Sequence, residues 1–93
     1  MINGTLINYA KRRDVEIEVL KAGEVDDDAQ VWFYTADNDC EPVLMYLINN
    51  DGSLTYRSKL MKSLEDMPAH INNKEVLKRV ICYISDQHKA DMM

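Results

Sequence analysis

Six consecutive apolar residues, Val43-Leu44-Met45-Tyr46-Leu47-Ile48, constrain this chain more than any other feature. The run is too short for a stable helix. It stops at Asn49-Asn50-Asp51-Gly52 and restarts as Leu54-Thr55-Tyr56. An Asn-Asp-Gly cluster supplies the positive φ angles that a tight turn between antiparallel strands requires. The segment therefore predicts a central strand over residues 43–48, a turn, and a further strand over 53–58.

Two more strands precede it. Val15, Ile17 and Val19 alternate with Asp14, Glu16 and Glu18, the period-two pattern of a half-buried strand over 14–20. Its row of like charges discourages pairing with another chain, which places it at a sheet edge. Gln30-Val31-Trp32-Phe33-Tyr34-Thr35-Ala36 is rich in β-branched and aromatic residues and predicts a strand over 30–36. Asp37-Asn38-Asp39-Cys40-Glu41-Pro42 has turn composition, and a proline suits the entry to the strand that follows.

Helical signals flank the strands. Val76, Leu77, Val80, Ile81 and Ile84 form one apolar stripe, predicting an amphipathic helix over about 73–88. In Asn72-Asn73-Lys74-Glu75 an asparagine cap combines with Glu75 as a variant capping box. Leu60, Met61, Leu64 and Met67 are spaced three and four apart, which predicts a short helix over 59–66 ending before Pro68. Residues 1–13 fit a strand as well as a helix. The reading adopted is a helix from Leu6 to Arg12 capped by Thr5, with Lys11-Arg12-Arg13 at its C-terminal end, where cations favour the exposed carbonyls. Residues 89–93 are expected to fray.

The expected fold is a single α+β domain over residues 1–93: a four-stranded antiparallel meander with the C-terminal helix on one face. The strands over 30–36 and 43–48 are apolar on both faces, so both faces call for cover. The N-terminal segment offers Ile2, Leu6, Ile7, Tyr9 and Ala10 for the second face, too little for Trp32, Tyr34 and their neighbours. A second copy of the chain is the preferred cover, giving a homodimer; the docking surface of another protein is the alternative. In a meander the 21–29 connection and the 49–52 turn share one end, and the 37–42 loop shares the other with Lys11-Arg12-Arg13.

Composition excludes several function classes. The net charge is −5 over 93 residues, so the field of the whole chain repels nucleic acid and direct nucleic-acid binding is not expected. No apolar run approaches the roughly 18 residues of a membrane span, and Met-Ile-Asn-Gly does not begin a secretory leader, so a cytoplasmic location is expected. Cys40 and Cys82 lack metal-ligand spacing and read as reduced thiols. Asp37-x-Asp39-x-Glu41 begins like a calcium loop, but Pro42 stands where that loop needs glycine and Ile48 where it needs its last carboxylate. Neither metal nor cofactor is expected. His70 and His88 have no nucleophile or orienting acid at a useful spacing, Cys82 lies beside the apolar stripe, and no catalytic residue is assigned.

What remains is a non-enzymatic, acidic protein-interaction module that regulates or inhibits a macromolecular partner, acting as a homodimer. Glu24, Asp26, Asp27, Asp28 and Asp51 gather at one end as the contact for that partner, a basic protein by charge. Trp32, Tyr34, Tyr46 and Tyr56 are the candidates for the dimer face. The alternative is a small-ligand binder whose pocket those four aromatic residues line.

Overall fold

Asn3 opens the first helix. Its side-chain carbonyl accepts the Leu6 backbone N–H at 3.0 Å, so the cap lies two residues before the expected Thr5, and α1 spans Gly4–Lys11. The last turn tightens as Arg13 N–H and Asp14 N–H reach the carbonyls of Ala10 and Lys11. Asp14, at φ 62°, reverses the chain directly into the first strand, a conformation that aspartate tolerates better than most residues.

The computed structural model describes residues 2–24, 28–36 and 40–91. The strands are β1 (Val15–Leu20), β2 (Gln30–Thr35), β3 (Leu44–Ile48), β4 (Leu54–Lys59) and β5 (His70–Ile71), followed by α2 (Lys74–Asp91). They form an antiparallel sheet in the order β1-β2-β3-β4-β5. The α+β class and the meander are those expected, with β1 at an edge, but the sheet has five strands rather than four. A two-residue strand carries too little periodicity to announce itself.

The hairpin between β3 and β4 closes through Gly52. Its N–H reaches the Asn49 carbonyl at 2.9 Å and Asn49 N–H reaches the Ser53 carbonyl at 2.8 Å. Gly52 takes φ 88°, where a side chain would strain the backbone.

Both helices lie on one side of the sheet. Leu6 and Ala10 of α1 and Leu77, Val80, Ile81 and Ile84 of α2 pack with Val15, Val31, Phe33, Leu44, Tyr46 and Leu54 in a single buried core. The N-terminal segment therefore adds to the face that α2 already covers and leaves the opposite face alone. The cap of α2 is Asn73, whose side chain accepts Val76 N–H at 2.9 Å. With Asn73 as the cap, Glu75 is the second helical residue, one position too early for the reciprocal box, which would need Asn72 as the cap.

Residues 59–66 form no helix. β4 continues to Lys59, and the N–H groups of Leu60 and Met61 both point to the Val43 carbonyl, at 3.0 and 3.3 Å. Those donors extend the sheet, and the turn bond that follows, Leu64 N–H to the Met61 carbonyl at 3.1 Å, is not continued into a helix. Leu64 still enters the core with 0% exposure, whereas Leu60 is 55% exposed. The segment is pinned instead by side chains: Lys59 Nζ donates to the Leu64 carbonyl, Tyr83 OH donates to the Ser63 carbonyl, and Tyr46 OH donates to the Pro68 carbonyl.

Candidate functional site

Cross-strand register decides what the uncovered face presents. Glu18 pairs with Trp32, Trp32 with Met45, and Met45 with Ser58, making one transverse row. On one side lies the row Leu20, Gln30, Leu47, Thr55 and His70; on the other lies the pair Glu16 and Tyr34. None of these side chains belongs to the core beneath the helices.

An irregularity in β4 shapes one flank of this surface. Met45 pairs with Ser58 but Tyr46 pairs with Tyr56, so Arg57 is an extra residue in β4. A bulge of this kind re-aims side chains. Both Arg57 and Ser58 reach Met45 Sδ, at 4.0 and 3.8 Å, which places the guanidinium on the open face.

Polar groups partly shield the apolar centre. The Trp32 indole N–H donates to Gln30 Oε1 at 2.9 Å, and Tyr34 OH donates to Glu18 Oε1 at 2.8 Å. Asn49 Nδ2 donates to Ser53 Oγ and to Thr55 Oγ1, at 3.0 and 2.9 Å. Leu20 and Met45 are each 9% exposed although no helix lies over them, while Trp32, Tyr34 and Leu47 stay half-buried. The result is a surface with an apolar centre, carboxylates along β1 and a cation on β4.

The four aromatic residues expected on one face are divided between two. Trp32 and Tyr34 lie on the open face. Tyr46 and Tyr56 point toward the helices, where Tyr46 meets Phe33 and Tyr56 edge to face at 6.4 and 5.8 Å. Tyr46 is fully buried and donates to the Pro68 carbonyl at 2.7 Å. Burial, and then repulsion from Tyr56, push its phenol up to about 12. These four side chains do not line a common pocket.

Of the acidic residues expected at one end, Asp26 and Asp27 lie outside the described residues, as do Asp37 and Asp39 of the opposite loop. Glu24, Asp28 and Asp51 are exposed. Pairing of Leu20 with Gln30, and the Ile48 N–H to Ala29 carbonyl bond at 2.8 Å, bring their segments to the same end of the sheet. Two of the three carboxylates are also used locally. Glu24 Oε2 accepts Lys21 N–H at 3.2 Å, and Asp51 Oδ1 accepts the N–H and hydroxyl of Ser53 at 3.0 and 2.6 Å. The Ser53 hydroxyl, then its N–H, holds the Asp51 carboxyl below the ordinary carboxylate range.

No family model, curated protein or solved structure matches this chain.

The remaining reactive side chains are dispersed. Cys82 is half-buried on α2, with its Sγ 3.2 Å from Tyr9 OH. The Arg13 guanidinium lies 3.7 Å from the centre of the Tyr9 ring. Its hydrogen bond with Cys82, and then burial, raise the Tyr9 phenol above its ordinary value. The Tyr9–Cys82 contact fastens α1 to α2, with Arg13 engaged on Tyr9. His70 is exposed at β5, and His88 lies far along α2, beside a shallow hollow that Leu60 and Pro42 also line. Among the described residues no three His, Cys, Asp or Glu side chains are placed to hold a metal ion, and no helix is long and apolar enough to cross a membrane.

Sequence reasoning missed Met45, Leu47 and Arg57 as open-face residues. The parity of Trp32 and Tyr34 within β2 is visible in sequence, but its relation to β3 depends on the pairing register. Arg57 depends on the bulge as well.

Proposed function

We propose that this chain is a non-enzymatic protein-interaction module that associates with its own kind through the open sheet face and offers its acidic end to a basic macromolecular partner, which it regulates or inhibits. One observation carries the reading: a sheet face centred on Trp32, Met45 and Leu47 that none of the chain's described elements covers. The half-buried Trp32, Tyr34 and Leu47 around a buried Met45, ringed by polar groups, have the composition of an interface centre with its rim. Burying them further gains about 25 cal/mol per Å² of apolar area.

The acidic end supports the second part of the proposal. Glu24, Asp28 and Asp51 are exposed at one end of a chain with a net charge of −5, which suits electrostatic steering toward a cationic surface. The test is quantitative affinity capture from source-organism lysate. Wild type is compared with a variant in which Asp26, Asp27, Asp28 and Asp51 are changed to Asn. A stoichiometric partner retained by wild type and lost from the variant is expected; equal recovery by both, or recovery of the chain alone, contradicts the assignment.

A further inference from the structure

The open face carries both halves of a charge pattern. Glu16 and Glu18 stand on β1, Arg57 on β4, and Trp32 and Met45 pair between them on β2 and β3. An isologous contact requires that whatever residue i meets on the second copy also meets residue i. Any two-fold axis in the plane of contact satisfies this, and two of them keep the strands of the two packed sheets aligned.

With the two-fold axis lying across the strands, β1 would cover β1. Glu16 and Glu18 of one copy would then face the same carboxylates of the other, and like charges in contact are strongly disfavoured. With the axis parallel to the strands and between β2 and β3, β1 covers β4, and β2 covers β3. Residues of one transverse row then meet the same row reversed. Glu18 meets Ser58 and Arg57, and Trp32 meets Met45.

We propose that the open face docks on the same face of a second copy in this parallel-axis arrangement. The inference rests on the reading of that face as the site of self-association and names the symmetry axis and the side chains that meet across it. The face supplies its own complement: a foreign partner would have to reproduce the order cation, thioether, indole, carboxylate, whereas a second copy presents it by symmetry. The dimension of the contact also sets its strength. Four strands spaced about 4.8 Å apart, each about 20 Å long, give roughly 400 Å² in plan per copy. The total of roughly 800 Å² is below the roughly 1,200 Å² of stable specific interfaces and in the weak, transient class, so the dimer dissociates on dilution.

Sedimentation of the full chain tests the arrangement with two charge-reversed proteins, Glu16→Lys/Glu18→Lys and Arg57→Glu, and their equimolar mixture. Each variant alone juxtaposes like charges at both symmetric contacts and is expected to dimerise about tenfold more weakly or worse. In the mixture, each variant's altered flank faces its complement, and dimers return at close to wild-type affinity. Recovery by mixing also shows that both variants are folded. A wild type that stays monomeric at high concentration overturns the proposal, as do variants that dimerise like wild type and a mixture that stays monomeric. A Trp32→Ser control separates this failure from that of the broader reading. Loss of self-association in Trp32→Ser with none in the charge variants keeps the open face as an interface and rejects the axis. A lysate partner that binds wild type but not Trp32→Ser keeps the face as a docking surface and rejects the second copy.

Discussion

Tyr46 joins packing to hydrogen bonding in one side chain. It is fully buried and donates to Pro68 O, so Tyr46→Phe leaves a carbonyl without its partner and is expected to cost about 1–2 kcal/mol in urea unfolding. The phenol has an ordinary value of 10.0 and is pushed up to about 12 in the fold. Above pH 10 the unfolded chain loses this proton while the native one keeps it, so stability is full below pH 10 and falls toward pH 12. Tyr46→Phe should therefore be less stable at neutral pH and decline less steeply through that window, as read from melting temperature against pH. Asp51 works with the opposite sign. Its carboxyl is depressed from 3.8 by Ser53, so its contribution is present above that value and lost as the pH falls below it. Asp51→Asn should flatten the acid limb of the same curve; an unchanged limb would show that the Ser53 contacts are not made in solution.

At the scale of elements, the caps and the 59–66 segment separate what the sequence announces from what it does not. Strand and helix types followed from composition and period, because each long element satisfies its own periodicity along the chain. The caps are displaced because neighbouring polar residues, Asn3 and Thr5 at one helix and Asn72 and Asn73 at the other, each offer a side-chain acceptor, and backbone geometry selects between them. Asn73→Ala should lower stability by about 1 kcal/mol, with Asn72→Ala nearly neutral. Residues 60–67 have helical spacing without a helix: Leu60 and Met61 extend the sheet to Val43, and the Ser63 and Leu64 carbonyls that a helix would use accept side-chain donors from Tyr83 and Lys59. A helix would bury Leu60 and Leu64 alike. The structure instead predicts a loss of about 2–5 kcal/mol for Leu64→Ala and a change within about 0.5 kcal/mol for Leu60→Ala, measurable by chemical denaturation.

At the scale of the molecule, the chain is a two-layer structure with one side closed by its own helices. Apolar runs in β2 and β3 implied two covered faces, and that inference drew on side-chain parity alone. Placing α1 beside α2 removes the N-terminal segment as a cover for the second face. Parity could not reveal that Tyr46 and Tyr56 belong to the core while Met45 belongs to the surface, since relating one strand's faces to the next requires the register. Nor could it reveal that a bulge would bring Arg57 over Met45 and give the face its opposed charges. Those two facts turn an expected aromatic patch into a surface with a defined direction.

Trp32 is the only tryptophan in the chain and stands at the centre of that surface, so the protein carries its own reporter. The most direct measurement is its fluorescence, with iodide quenching, across a dilution series of the unmodified chain from about 100 µM to below 1 µM, the range set by a low-area interface. Closure of the open face predicts a blue-shifted, poorly quenched indole at high concentration that becomes red-shifted and accessible on dilution, in step with loss of the dimer by sedimentation. An emission maximum and quenching constant that stay fixed while the dimer dissociates would place the contact elsewhere and contradict the account.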